Sequence, residues 1–194
     1  MSHRRVLSVN VGSAQPLEVG GGRSVLSGIG KRAVEGDVRF APLGLAGDEQ
    51  ADPSVHGGLE KAVYAYPVEH YAFWQTVRAQ AGLQPWGEAL PGGFMGENLT
   101  LGGLLEGDMW VGDVLRFARC DLAVSAPRQP CYKFDAVMGF AQATRLMVRS
   151  GYCGCYLAVR VPGLIAAGEA FELVPGPRDV GIGELFRSVM AKHR

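Results

Sequence analysis

A mainly β fold with a few α-helices is what this chain predicts, on three observations. Glycine supplies 28 of its 194 residues, about twice the usual share, and without a collagen period that excess means frequent turns. Many short stretches alternate apolar and polar residues, the period that buries one face of a strand. Only three stretches carry apolar residues at helical spacing. The length fits one domain whose core needs neither disulfide nor metal. Nineteen basic residues balance nineteen acidic ones, so no global field steers the chain toward nucleic acid or an anionic membrane. No apolar run approaches the ~20 residues of a membrane span. Residues 1–7 lack the apolar core of a signal peptide. A cytoplasmic setting follows, in which Cys120, Cys131, Cys153 and Cys155 stay reduced.

The first strand is Val6 to Val11, followed by a glycine-rich loop over 12–24 and a turn and strand within 25–40. Lys61 to Tyr66 alternates as a strand, and Pro67 opens a helix at its favoured first position. Tyr71, Trp74, Val77 and Ala81 form that helix's buried stripe, and His70 falls on its solvated flank. Residues 82–95 read as a loop. Strands follow at 97–101, 114–117 and 122–124, with Cys120 at a hairpin turn. Val137, Phe140, Ala141, Thr144, Met147 and Val148 mark a helix over 135–149. A glycine turn then leads into a strand from Cys153 to Arg160, and 168–174 forms the last strand. Asp179 is placed to cap a C-terminal helix whose stripe is Ile182, Leu185, Phe186, Val189 and Met190. That stripe covers either the β body or a partner chain, the latter as a homodimer.

Two stretches carry the chemistry. Ser125 to Lys133 follows a strand, and Pro127 and Pro130 forbid both a helix and continued ladder pairing. The result is a stiff loop bearing one thiol, Cys131, between Arg128 and Lys133. Neighbouring cations favour the thiolate, which is both the nucleophile and the metal ligand. The plain alternative is a small buried hydrophobe. The second stretch runs from Gly44 to Gly58. Asp48, Asp52 and His56 stand four apart, but Pro53, Gly47 and Gly57 forbid the helix that would stack them. It reads instead as a tight polar loop whose glycines let backbone approach a ligand, with His56 either a pocket residue or a turn residue bonded to backbone. Cys153 and Cys155 are spaced too closely for a zinc pair and read as core thiols.

The motifs Gly44–Asp52, His56-Gly57-Gly58 with Lys61, Tyr64–Trp74, Gly96–Leu99 and Pro127–Cys131 together resemble the MOSC domain family, in its stand-alone bacterial YiiM-like branch. The resemblance implies a MOSC β-barrel with a few covering helices over 1–174, with a motif-bearing core at 28–174. Residues 175–194 would then be the remnant of a longer helical extension. It also implies molybdenum cofactor (molybdopterin) with Cys131 as metal ligand and catalytic residue. His56, Gly57, Gly58, Lys61, Asn98, Arg128 and Lys133 would bind the cofactor, Arg as a fork and Lys as a point charge on its phosphate. Family members reduce N-hydroxylated compounds, such as N-hydroxylated purines, with electrons from a partner reductase. Where the family has Gly-x-Tyr, this chain has Tyr152-Cys153-Gly154-Cys155-Tyr156. The rival readings are a sulfur carrier with a Cys131 persulfide relayed by Cys153 or Cys155, and a non-catalytic cofactor store. A pyridoxal phosphate Schiff base at Lys61 or Lys133 has no motif behind it.

Overall fold

A computed structural model describes residues 4–51 and 57–192. It opens with β1 (Arg5–Val11), in which Val6 and Val9 are both sealed. A register shift against a later strand between Val6 and Ser8 accommodates that odd spacing. The expected loop over 12–24 holds a hairpin, β2 (Gln15–Glu18) and β3 (Ser24–Ser27), turned at Gly20-Gly21-Gly22, all at positive φ. Most residues of both strands are exposed or half-buried, so no alternation marks them. Then come β4 (Arg32–Val34), β5 (Val38–Ala41), β6 (Gly44–Leu45) and β7 (Val63–Pro67), the last buried throughout.

Pro67 closes β7 instead of opening a helix. A 3-10 turn at Val68–His70 intervenes before α1 (Tyr71–Gln80). Tyr71 and Trp74 are buried as the stripe predicts, and Trp74 Nε1 donates to Tyr66 Oη at 2.6 Å. His70 corrects the expectation of a solvated flank. It is buried, lies 2.7 Å from Glu106 Oε2 and stacks on Tyr152 at 3.8 Å.

The chain continues through β8 (Leu99–Gly102), β9 (Val114–Arg116) and β10 (Asp121–Pro127). The helix expected over 135–149 is two, α2 (Tyr132–Met138) and α3 (Ala143–Ser150). Gly139 at φ 80 caps α2 in the left-handed region and breaks the run. Last come β11 (Cys155–Val161), β12 (Gly163–Ile165), β13 (Glu172–Val174) and α4 (Ile182–Ala191). Gly181, not Asp179, is the cap of α4. Ile182 and Phe186 are sealed where α4 packs on β10, so the stripe covers the chain's own sheet.

The main sheet has eight strands in the order β13-β9-β10-β11-β7-β8-β1-β4, with β7 and β8 parallel and the other ladders antiparallel. Among the described residues no ladder joins β13 to β4, so the fold is mainly β and mixed without a closed barrel drawn. β1 meets the run before β13 through the Arg5–Ala170 bridge and a bond from Val6 N–H to Glu169 O of 2.9 Å. β12-β5-β6 and β2-β3 form two smaller sheets.

Cys153 and Cys155 are both sealed in the core. Burial pushes both thiols above their ordinary range, with Glu106 adding to the rise. Cys120, also buried, is pushed up to about 12 by desolvation. Between the first two, Gly154 sits at φ +64, and a Cβ there would lie 2.3 Å from Ala65 O. No side chain can enter without parting β11 from β7, which pair at Cys155 and Ala65. Gly154→Ala is therefore expected to lower unfolding stability by about 2 kcal/mol or more, measured by chemical denaturation. An unchanged midpoint would contradict the close approach.

Candidate functional site at Cys131 and Arg128

Three neighbouring strands build the site. The β10–β11 ladder sets Ala126 opposite Tyr156, and the β11–β7 ladder sets Tyr156 opposite Tyr64. A register shift between Val124 and Ala126 leaves Ser125 as the extra residue of a bulge. Its hydroxyl bonds the Tyr156 carbonyl at 2.9 Å and also the Glu60 carbonyl, tying down the 3-10 turn Leu59–Lys61.

Arg128 leaves the end of β10 and is only 6% exposed. Its guanidinium lies between two rings, 4.9 Å from the centroid of Tyr64 and 5.1 Å from that of Phe134. Nη1 is buried with no hydrogen-bond partner among the described residues. Burial works against the charge, but interaction with Tyr64, Tyr156 and Cys131 outweighs it and holds the group above its ordinary value. The same burial pushes the Tyr64 and Tyr156 hydroxyls up, so both stay neutral beside the cation. A buried donor without a partner is costly, and in a cavity wall it is a site prepared for an acceptor.

Cys131 stands half-buried at the start of α2. Its carbonyl accepts from Phe134 N–H at 2.8 Å and Thr144 Oγ1 at 3.1 Å, which fixes the loop without engaging the sulfur. Lys133, in the first turn of α2 and not on the loop, donates from Nζ to Leu26 O at 3.2 Å and so joins α2 to the β2–β3 hairpin. Lys61 lies 5.8 Å over the Tyr156 ring.

These groups face an open cavity. Its far wall carries the Lys31–Asp48 ion pair at 2.5 Å, both side chains nearly sealed. Asp48 also accepts from Gly12 N–H and from Asn98 Nδ2, each at 2.9 Å. Asn98 Oδ1 accepts from Tyr64 N–H at 3.0 Å, so Asn98 lines the cavity with its amide already engaged. Gly28 lines it too, where a Cβ would lie 2.2 Å from Glu49 O. A second groove shares Lys61, Cys131, Lys133 and Tyr156 with the first.

Of the residues the sequence singled out, Cys131, Lys61, Asn98, Arg128 and Lys133 come together on this cavity. Gly57 and Gly58 precede the turn that carries Lys61, and Gly58 O accepts Lys61 N–H at 3.1 Å, but neither glycine lines the cavity. His56 lies outside the described residues. Sequence reading missed Tyr64, Tyr156 and Lys31 as members of the site, and placed Asp48 in the polar loop without a role of its own. The two tyrosines were legible only as strand residues, because their pairing depends on which strands become neighbours. Among the described residues no cluster of three His, Cys, Asp or Glu groups can hold a metal alone. A metal here would take one thiolate from the protein and its other ligands from elsewhere. No helix among the described residues is long and apolar enough to cross a membrane.

Comparison with known proteins gives the ancestry. Protein YiiM of Escherichia coli (strain K12) is 36% identical over 158 residues, spanning 81% of this chain and 68% of its own length. A protein named reductase, from Gibberella moniliformis, is 31% identical over 173 residues, which make up 29% of its length. The crystal structure of YiiM from Geobacillus stearothermophilus superposes with a TM-score of 0.75 at 27% identity, covering 97% of this chain and 85% of that one. The MOSC domain model matches residues 52–172, and the chain belongs to the MOSC domain family.

Proposed function

We propose that this MOSC protein holds molybdenum cofactor in the Arg128–Cys131 cavity. There it reduces the N–O bond of N-hydroxylated compounds with electrons from a partner reductase. The observation that carries the reading is Arg128, clamped between Tyr64 and Phe134, with Nη1 buried and without a partner among the described residues, beside the half-buried thiol of Cys131.

Those residues fit the cofactor. Its phosphate is the acceptor that Arg128 Nη1 lacks, with Lys133 and Lys61 on the same wall. Cys131 offers a soft thiolate to a soft-ligated metal. When bound, the cofactor supplies a centre that accepts the substrate oxygen in a two-electron step. Overall, a hydroxylamine R–NH–OH takes two electrons and two protons, its N–O bond breaks, and R–NH₂ and water leave. The relative named a reductase supports the reductive direction. A cytoplasmic location agrees with a thiol that must stay reduced.

The sulfur-carrier alternative loses its relay, since Cys153 and Cys155 are sealed and line neither cavity. Protein made in a host that synthesises molybdenum cofactor is expected to carry about one molybdenum per chain and to reduce N-hydroxylated compounds when supplied with a reductant. Metal analysis finding none, with a persulfide on Cys131 by mass spectrometry, would refute the reading in favour of the carrier.

A further inference from the structure

Charges that balance over the whole chain do not balance along it. Between Asp121 and Glu169 stand Arg128, Lys133, Arg145, Arg149 and Arg160, against the single carboxylate of Asp135. That carboxylate is engaged, since its Oδ1 accepts from Thr144 N–H at 2.6 Å. Helix α3 buries Ala143 and Met147 and turns Arg145 and Arg149, four residues apart on one face, to solvent. Neither arginine has an ion pair among the described residues, whereas Arg116, Arg119 and Arg178 each face an aspartate. This positive face borders the thiol. Thr144, the neighbour of Arg145, donates from Oγ1 to the Cys131 carbonyl at 3.1 Å. Tyr132, at the head of α2, leaves 53% of its surface to solvent although it is aromatic.

We infer that the exposed face of α3, with Tyr132 at its edge, docks the electron-donating protein, and that the donor meets it with an acidic surface around its own redox group. The inference rests on the reading above, which needs a donor and does not say where it sits. Complementary charge steers encounter and disfavours wrong partners. Transient redox pairs bury less than about 1,200 Å², an area within reach of one short helix face and the turn beside it. A donor seated on α3 stands beside the thiol and leaves the cavity free for cofactor and substrate. Each turnover then takes two electrons from the donor and two protons from solvent, and it releases amine, water and oxidised donor.

The test uses an iron–sulfur ferredoxin of net negative charge as the probe. Its binding to the cofactor-loaded protein is measured by surface plasmon resonance at low and at physiological ionic strength. Reduction of an N-hydroxylated compound is followed with reduced ferredoxin and, separately, with the methyl viologen radical cation, which needs no docking face. Arg145→Glu and Arg149→Glu are each expected to weaken ferredoxin binding and to lower kcat/KM for ferredoxin, by about tenfold at low ionic strength. The effect should shrink at physiological ionic strength, where the charges are screened. Molybdenum content and the rate with viologen should match wild type. Arg187→Glu makes the same charge change on the exposed side of α4 and should leave ferredoxin binding within about twofold. Wild type that does not bind ferredoxin at low ionic strength overturns the inference, as does binding that Arg145→Glu and Arg149→Glu weaken no more than Arg187→Glu does. Wild-type protein that holds no molybdenum and reduces nothing with viologen, yet binds ferredoxin with this dependence on Arg145 and Arg149, refutes the cofactor reading and leaves the docking face standing.

Discussion

Cys131→Ala protein, made alongside wild type in a host that synthesises molybdenum cofactor, should lose bound molybdenum by tenfold or more and fall to background in N–O reduction. Losing even an outer-shell partner costs roughly 10–100-fold in metal affinity, and here the ligand itself is removed. The interpretation is clean because the fold uses the backbone of Cys131 and not its sulfur: the carbonyl holds Phe134 and Thr144. The variant and wild type stripped of cofactor should therefore melt at the same temperature. Full molybdenum in the variant would contradict the proposed ligation.

The largest structural effect is expected at Glu97. Fully buried just before β8, its carboxyl accepts from the Tyr71 hydroxyl, from Thr100 Oγ1 at 2.6 Å, and from the N–H groups of Gly93 at 2.9 Å and Met95 at 3.0 Å. Glu97→Ala leaves those donors in the core, and the two backbone N–H groups cannot turn away. At about 1–3 kcal/mol for each unsatisfied buried group, the loss should reach at least about 3 kcal/mol. That corresponds to roughly 6–12 °C in melting temperature for a chain of this size. Calorimetry showing a shift under a few degrees would mean that water or a rearranged loop replaces the carboxyl.

The same residue sets a pH dependence. Burial raises the Glu97 pKa, and the hydrogen bonds offset that rise only in part. Its contribution is fully present below the unfolded value of about 4.3 and is lost as pH rises through the higher folded value. In Glu97→Gln, which cannot ionise, the stability difference from wild type should therefore move in favour of glutamine across that window.

Much of the site was legible in the sequence because its chemistry is local. Pro127 and Pro130 stiffen the loop, and Arg128 and Cys131 sit three apart on it, whatever the rest of the chain does. Their convergence with Lys61 and Asn98 came from the pattern of motifs, not from any spacing. The misses share a different cause. His70 lies at a strand–helix junction, and its partner Glu106 is supplied by a distant turn. The β2–β3 hairpin is too exposed for burial to impress a period on it. The stripe from Val137 to Val148 continues across Gly139, so periodicity could not mark the break that the left-handed glycine makes. Lys31 looks like an ordinary surface charge until the fold seals it against Asp48.

The surplus residue at Ser125 has an evolutionary corollary. Sides alternate along a strand, so removing or adding one position between Val124 and Arg128 would rotate the guanidinium away from its two rings and out to water. Substitutions in this segment can drift while the reading distance from Val124 to Cys131 stays fixed. Insertions and deletions in relatives should fall elsewhere, in exposed stretches such as the tip at Gly20-Gly21-Gly22.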